Sequence, residues 1–323
     1  DDAAKPLQVI LEELKRQAAS GDIVYNDDTT ARILDWMGKR AAKKAFREET
    51  DEIVFNQDGS QRCAMYTTGI VSTCEDRQIA LFFTGRRHAG ENLDRLLGQR
   101  SDDLPLPIQM CDPLSQNMPD ALKTIVAKCL AHGRRQFVDV VDAFPKEVKH
   151  VLKALKEVYK NDATARKDKL SPEARLRFHQ AQSGPIMNEL KEWMEGQIKD
   201  RLVEPNSGLG KAISYMTGRW DKFTLFLREP GAPLDNNICE RALKKAILHR
   251  KNSYFYKTLN GAHVGDLFMS LIYTCQLCKV NAFEYLTELL RHADKLAASP
   301  QRWMPWNYRQ ALAGATRSGT VMA

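Results

Sequence analysis

No apolar run in the 323-residue sequence approaches the length of a membrane span, and no signal-peptide pattern opens it, which argues against a membrane or exported protein. Repeats and low-complexity segments are missing too, so solenoid and linker-rich architectures are set aside. A phosphate-cradling glycine motif is absent. Ser207-Gly-Leu-Gly-Lys carries a Gly210-Lys211 pair but lacks the phosphate-loop spacing and the Ser or Thr that should follow the lysine, so ATP is not implied. Ordered cysteine patterns are lacking. The seven cysteines (63, 74, 111, 129, 239, 275 and 278) are scattered and odd in number, which reads as free thiols in a reducing cytosol. Cys275 and Cys278 sit in an apolar helical run with no second pair, and half a zinc site is not a zinc site. Cys129 and His132 have ligand-like spacing but no obvious partners in sequence, and read as structural in the same way.

What is present belongs to a globular protein: 43% hydrophobic and 28% charged residues, in a chain long enough for one large domain or two ordinary ones. Lys and Arg number 48 against 41 Asp and Glu, a formal charge of +7. Such an excess favours a polyanionic partner, because each neutralised phosphate releases condensed counterions. The first residue is Asp1 rather than Met, which suggests a piece of a longer protein.

Apolar spacing predicts a helix over Leu7 to Ala18, stopped by Gly21. Asp22 to Asn26 reads as a short strand that delivers the pair Asp27-Asp28 at its end. Gly38 to Glu52 is strongly charged and reads as a surface helix or insertion. Cys63 to Ser72 and Gln78 to Thr84 are β-rich runs around a polar turn, hence a hairpin. A helix over about His88 to Gln99 follows, then a short apolar run from Ile108 to Cys111 ending at Asp112. Thr124 to Cys129 predicts another strand and Ala131 to Ala143 a basic helix. From about Pro145 to Leu227 the periods are helical, as over Val148–Val158, Pro172–Ala181 and Ile186–Asp200. Asp235 is suited to cap a helix running through Glu240 to His249. The tail from Asp266 to Ala298 is helical, and Trp303-Met-Pro-Trp-Asn-Tyr is an aromatic turn.

This order describes an α/β (α+β) chain: a mixed sheet with helices on its faces and an all-helical insertion before the Glu-bearing helix. Strand-end carboxylates and a glutamate from a crossing helix could form a three-carboxylate cluster. Hard divalent cations take such oxygen ligands, and two of them serve in-line phosphoryl transfer. Spacing alone does not select the three. Asp27, Asp28 and Asp112 each also read as turn residues, and Glu240 as a surface partner of Lys244.

Several blocks together narrow the choice. Asp235-Asn-Asn-Ile-Cys-Glu-Arg-Ala-Leu, followed by Arg250-Lys-Asn, resembles the DNN-x-x-ER segment of the IS66 (insertion sequence 66) family of bacterial transposases. Leu81-Phe-Phe-Thr-Gly-Arg-Arg-His-Ala-Gly-Glu-Asn, Gln109-Met-Cys-Asp, Cys129-Leu-Ala-His-Gly-Arg-Arg-Gln-Phe and Val203-Glu-Pro-Asn-Ser-Gly-Leu-Gly-Lys-Ala are similar to the same family's other segments. The resemblance runs from roughly Asp22 to Tyr308. It implies a ribonuclease-H-like fold and a DDE active site built from Asp27, Asp112 and Glu240, with Asp28 a rival for the first position. It divides the chain into an N-terminal helix and linker (1–20), the first part of the catalytic domain (21–144), a helical insertion (145–230), the Glu-bearing helix (231–262) and a helical C-terminal segment (263–323).

The function implied is metal-dependent cleavage and strand transfer of DNA, with two Mg²⁺ (or Mn²⁺) ions, a homodimer or larger synaptic assembly, and accessory transposition proteins. His132, Arg134, Arg135, Asn237, Arg241, Arg250 and Lys251 are candidate DNA contacts. For His132, Arg134 and Arg135 a basic helix face covering the sheet is an equal reading. For Asn237 and Arg241, with Asn236, helix capping is the plainer role, and Arg250-Lys-Asn reads more simply as a solvated turn. Trp193, Trp220, Trp303 and Trp306 could stack on bases, although core packing explains the first two more simply. Two other readings stay open: an inactive DNA-binding or assembly protein, and a ribonuclease-H-like nuclease that cuts without joining. Family members commonly carry an N-terminal DNA-binding region, so recognition of the element's ends is expected to need more than this chain.

Overall fold

The computed structural model describes residues 2–38, 54–56, 59–74, 77–112, 115–119 and 121–319. In chain order its principal elements are α1 (Gln8–Ala19), β1 (Ile23–Thr30), β2 (Tyr66–Cys74), β3 (Arg77–Gly85), α2 (Ala89–Leu97), β4 (Ile108–Cys111), β5 (Ile125–Lys128), α3 (Leu130–Val138), α4 (Pro145–Lys167), α5 (Pro172–Gln182), α6 (Gly184–Lys199), α7 (Gly208–Thr217), α8 (Asn237–Ser253), α9 (Leu259–Leu277), α10 (Ala282–Arg291) and α11 (Tyr308–Gly319). The architecture is mixed α/β. No described helix is long and apolar enough to cross a membrane.

The chain divides into two compact units, one made of Asp1–Pro107, Leu114–Lys123 and Asn237–Ala323, the other of Ile108–Pro113 and Thr124–Asn236. In the first, β1, β2 and β3 form an antiparallel ladder in which Asp27 pairs with Gly69 and Ile70 with Leu81. Side chains alternate across a strand. Val24, Ile70, Ile79 and Leu81 therefore enter one core with Leu7, Ile10, Leu14 and Ala18 of the N-terminal helical segment, Leu93, Leu96 and Leu97 of α2, and Leu267 and Leu271 of α9. Two expectations about the helices are met closely: α1 and α2 lie where the apolar periods put them. The first strand differs. It continues through Asp27 and Asp28 to Thr30 rather than ending before them, because the β1–β2 ladder keeps pairing as far as Tyr66. The charged segment after Gly38 lies outside the described residues.

β3 carries a second set of bonds on its outer edge. The amides of Ala80, Phe82 and Thr84 donate to Thr274 Oγ1 (3.1 Å), Ser270 Oγ (3.0 Å) and Asp266 Oδ2 (2.6 Å). Cys278 Sγ, one turn further along the same stripe, contacts the Gln78 carbonyl at 3.6 Å. The match is geometric. Four residues of helix rise about 6 Å and two residues of strand about 6.6 Å, so side chains every fourth position on α9 reach every second amide of β3. An edge that would otherwise be open to pairing with another strand is thereby satisfied by a helix.

In the second unit β4 and β5 are parallel, with Ile108 opposite Ile125 and Cys111 opposite Lys128. The rest is helical. α5 and α6 match the predicted periods closely, α4 runs well beyond the Val148–Val158 period at its C-terminal end, and α3 stops at Val138, short of the Ala143 expected. A buried ionic knot ties this unit. Asp162, 1% exposed, accepts from Arg175 (2.6 Å) and also meets Arg166 and the ring of His179 (3.3 Å). Burial pushes its carboxyl pKa up, but His179, Arg175 and Arg166 together hold it well below the usual range. Arg175 also donates to the Ala232 carbonyl at 2.9 Å, so the knot fixes the segment leading to Asn236. In the Gly-Lys segment the Ser207 hydroxyl caps α7 by accepting from the Gly210 amide at 3.1 Å.

Candidate functional site

Asp27 and Asp28 are neighbours on one strand and therefore point to opposite faces of the sheet. Gly69, the pairing partner of Asp27, identifies the Asp27 face: a Cβ at Gly69 would stand 3.0 Å from Leu243 and 3.6 Å from the Cys239 sulfur, both on α8. Arg250 of α8 donates to Thr29 Oγ1 (3.2 Å), two residues from Asp27 and on the same face. Glu240 lies in the first turn of α8, partly buried. The first unit thus puts Asp27 on the face covered by the helix that bears Glu240.

Asp28 faces the other way and is engaged. Its Oδ2 meets His88 Nδ1 at 2.9 Å and accepts from the Ala89 amide at 3.3 Å, at the start of α2. Asn92 of the same helix donates to Thr68 Oγ1, the pairing neighbour of Asp28, at 2.8 Å. A carboxylate at a helix N-terminus is stabilised by the exposed amides and the helix dipole. On the other face, the Asp27 carboxylate accepts from the Asp28 amide at 2.9 Å.

Asp112 belongs to the second unit, directly after β4. Its Oδ1 is 2.7 Å from His132 Nδ1, and one ligating atom each from Asp112, Cys129 and His132 fall within 4.8 Å of one another. The reading of Cys129 and His132 as a pair without partners is corrected here: Asp112 is the partner, brought from 17 residues upstream by the parallel β4–β5 pairing. Cys129 immediately precedes α3 and His132 lies in its first turn, which explains the spacing. The buried Cys129 sulfur accepts from the Asn236 amide at 3.3 Å. The Asp112 carboxylate, then Cys129, hold the His132 ring protonated against the effect of burial, raising its pKa to about 10. Lys128, 5% exposed, donates to the Asp112 carbonyl at 3.0 Å, and burial pushes its amine pKa down. The trio contains oxygen, nitrogen and sulfur, a mixed set that would suit a borderline metal better than a hard one, but the His132 nitrogen becomes a ligand only when the ion displaces its proton.

The remaining candidates divide by position. Arg134, Arg135, Arg241 and Lys251 are exposed, Asn237 and Arg250 half-buried. Helix α8 begins at Asn237, so Asp235 lies one residue too early to cap it. The Asp235 charge instead acts on Tyr159, whose hydroxyl pKa is raised, by burial first and this carboxylate next. Trp220 and Trp303 are core residues, Trp193 packs against His150 at 4.4 Å, and Trp306 lies under Arg77 at 5.7 Å. Sequence reasoning passed over Lys128, which carries no motif, and the exposed pair Tyr254-Phe255, and it quoted His88 only within a family block without giving it a role.

Comparison with known proteins places these residues in a family. The family model described as "Transposase IS66 family" matches residues 1–264. The chain belongs to the IS66 transposase family. Similar curated proteins are three from Sinorhizobium fredii (strain NBRC 101917 / NGR234), each named only as uncharacterized. Protein y4jD is 31% identical over 57% of this chain and 36% of its own length. Protein y4hP is 28% identical over 76% and 48%, and y4qI 29% identical over 57% and 34%. This IS66 chain therefore spans about half or less of the curated relatives it matches. No solved structure matches it.

Proposed function

We propose that this chain carries the catalytic core of an insertion-sequence transposase, a ribonuclease-H-like domain that cleaves a DNA strand and joins the freed 3′-hydroxyl to target DNA. The observation that carries the reading is the family match across residues 1–264. The carboxylates assigned are Asp27, Asp112 and Glu240. The choice of Asp27 over Asp28 is supported by the engagement of Asp28 with His88 and the start of α2, and by the shared face of Asp27 and α8.

The residues fit a hard divalent cation, Mg²⁺ or Mn²⁺, because all three assigned ligands are carboxylates and Asp27 and Glu240 are only partly buried. Two such ions, when bound, activate the attacking oxygen and stabilise the leaving one. His132 acts on Asp112: its ring, held 2.7 Å from the carboxylate, sets which oxygen lone pairs face outward. Lys128 fixes the backbone of the same residue. The exposed Arg134, Arg135, Arg241 and Lys251 neutralise phosphates and give salt-sensitive, sequence-tolerant contacts. Synapsis by a homodimer or larger assembly, with accessory proteins and a separate end-recognition region, completes the reading.

The test is strand transfer with labelled element-end and target DNA in Mg²⁺. Asp112→Asn and Glu240→Gln are each expected to lower transfer by at least about a thousandfold while DNA affinity changes less than threefold. Near-wild-type transfer by either variant overturns the assignment. Cleavage without joining by the wild-type chain would instead make it a nuclease.

A further inference from the structure

We propose that Tyr254 and Phe255 form a base-stacking tip that holds unpaired DNA bases beside the α8 helix, an inference that rests on the DNA-processing function proposed above. Tyr254 is 67% exposed and Phe255 43% exposed. Burying such rings in a core would be favourable by a few kcal/mol each, yet both are displayed to solvent at the end of α8.

The local backbone favours display. Tyr254 has φ +63°, the left-handed conformation in which helices commonly end on glycine or asparagine. Its amide still closes the last turn of α8 on the Arg250 carbonyl at 2.9 Å, and the Phe255 amide folds back onto Ser253 at 2.7 Å. A bulky aromatic in that conformation is uncommon. The turn throws both rings outward from the helix end.

The base beneath them is fixed. Tyr256 stacks on His249 with ring centroids 4.5 Å apart and planes within 18°. Its backbone pairs with the segment after β1, the Tyr256 amide donating to Arg32 at 2.9 Å and the Leu34 amide to Tyr256 at 2.8 Å. Arg250 ties the last turn of α8 to Thr29 and Thr30. Rings mounted on a fixed base lose little freedom when a ligand arrives.

Charge names the ligand class. From Arg241 to Gly265 the sequence holds Arg241, Lys244, Lys245, Arg250, Lys251 and Lys257 and no acidic residue. All but Arg250 are exposed. Cations that track a phosphate backbone, with aromatic faces on which successive bases stack, are the pattern of single-stranded nucleic-acid binding. A cleaved element end, with its unpaired terminal nucleotides, presents that combination.

The experiment compares binding of the chain to a blunt duplex and to the same duplex with a short unpaired end carrying 2-aminopurine. Anisotropy reports affinity and base fluorescence reports stacking. The wild-type protein is expected to prefer the unpaired end and to quench the probe. Tyr254→Ala with Phe255→Ala should lower affinity for the unpaired end by at least about tenfold and restore fluorescence, with blunt-duplex affinity within twofold. Tyr254→Trp should retain both. Thermal melting confirms that each variant is folded.

An unchanged preference in the folded double variant overturns the inference. So does loss of binding to anionic lipid vesicles in that variant with no effect on DNA, which would make the tip a membrane anchor. Both results leave the transposase reading intact if Asp112→Asn still abolishes transfer. A wild-type chain that binds no DNA at low salt sinks the transposase reading itself.

Discussion

Replacing Asp266 tests the strand-to-helix ladder and gives a pH signature. The carboxylate is buried on α9 and accepts from the Thr84 amide (2.6 Å) and the Thr84 hydroxyl (2.7 Å). Burial is the main influence on it and pushes its pKa up to about 7, against the two Thr84 bonds and the distant Lys15 charge, which pull it down. Since the folded state holds the proton more tightly than the unfolded chain, this group's contribution is greatest below about pH 4. It is lost as pH rises toward 7, and is flat above that. Three pKa units correspond to about 4 kcal/mol.

Asp266→Asn keeps an acceptor for the Thr84 amide and removes the titration. Urea denaturation of both proteins at several pH values is the assay. The variant is expected to gain on the wild type between pH 4 and 7, by up to about 4 kcal/mol. Asp266→Ala strands the buried Thr84 amide, which should cost about 1–3 kcal/mol below about pH 4, and because it also removes the titration this cost is offset as pH rises toward 7; the hydroxyl keeps its 2.8 Å contact with Thr67. A stability difference between wild type and Asp266→Asn that does not vary with pH would refute the argument.

On the same strand-transfer assay, Asp27→Asn is expected to abolish activity, whereas Asp28→Asn should keep most of it and lower the melting temperature. The reverse pattern would reassign the first carboxylate. Gly90 has no room for a side chain, since a Cβ there would fall 2.0 Å from the Met118 carbonyl oxygen; Gly90→Ala should destabilise by about 2 kcal/mol or more, and an unchanged unfolding midpoint would count against the packing described. Asp162→Ala leaves Arg175 and His179 without their shared anion and should cost about 3–5 kcal/mol in chemical denaturation, whereas a loss below 1 kcal/mol would show that the knot contributes little.

How much of this was legible from residues alone depends on the range of the interaction. Helices α1 and α2 and the β2–β3 hairpin announce themselves by period, because 3.6 and 2.0 are properties of the local backbone. The family blocks around Gln109-Met-Cys-Asp and Asp235-Asn-Asn likewise need no coordinates. Other features depended on pairing. The polar stripe Asp266, Ser270, Thr274 and Cys278 is visible as an every-fourth pattern, but without β3 it looks like a solvated face. Whether β1 stops before Asp27 depends on how far β2 continues beside it.

The site divides in the same way. Sequence by itself determined the class of protein and offered Asp27, Asp112 and Glu240, since family motifs are written in residue types and order. Only the tertiary structure decided what each carboxylate faces. Strand alternation turns Asp28 toward His88 and the N-terminus of α2, and leaves Asp27 on the side of α8. Parallel pairing of β4 with β5 brings Asp112 to Cys129 and His132. The physical reason is that a side chain's environment is set by neighbours distant in the chain, and those contacts exist only once the strands have found their register.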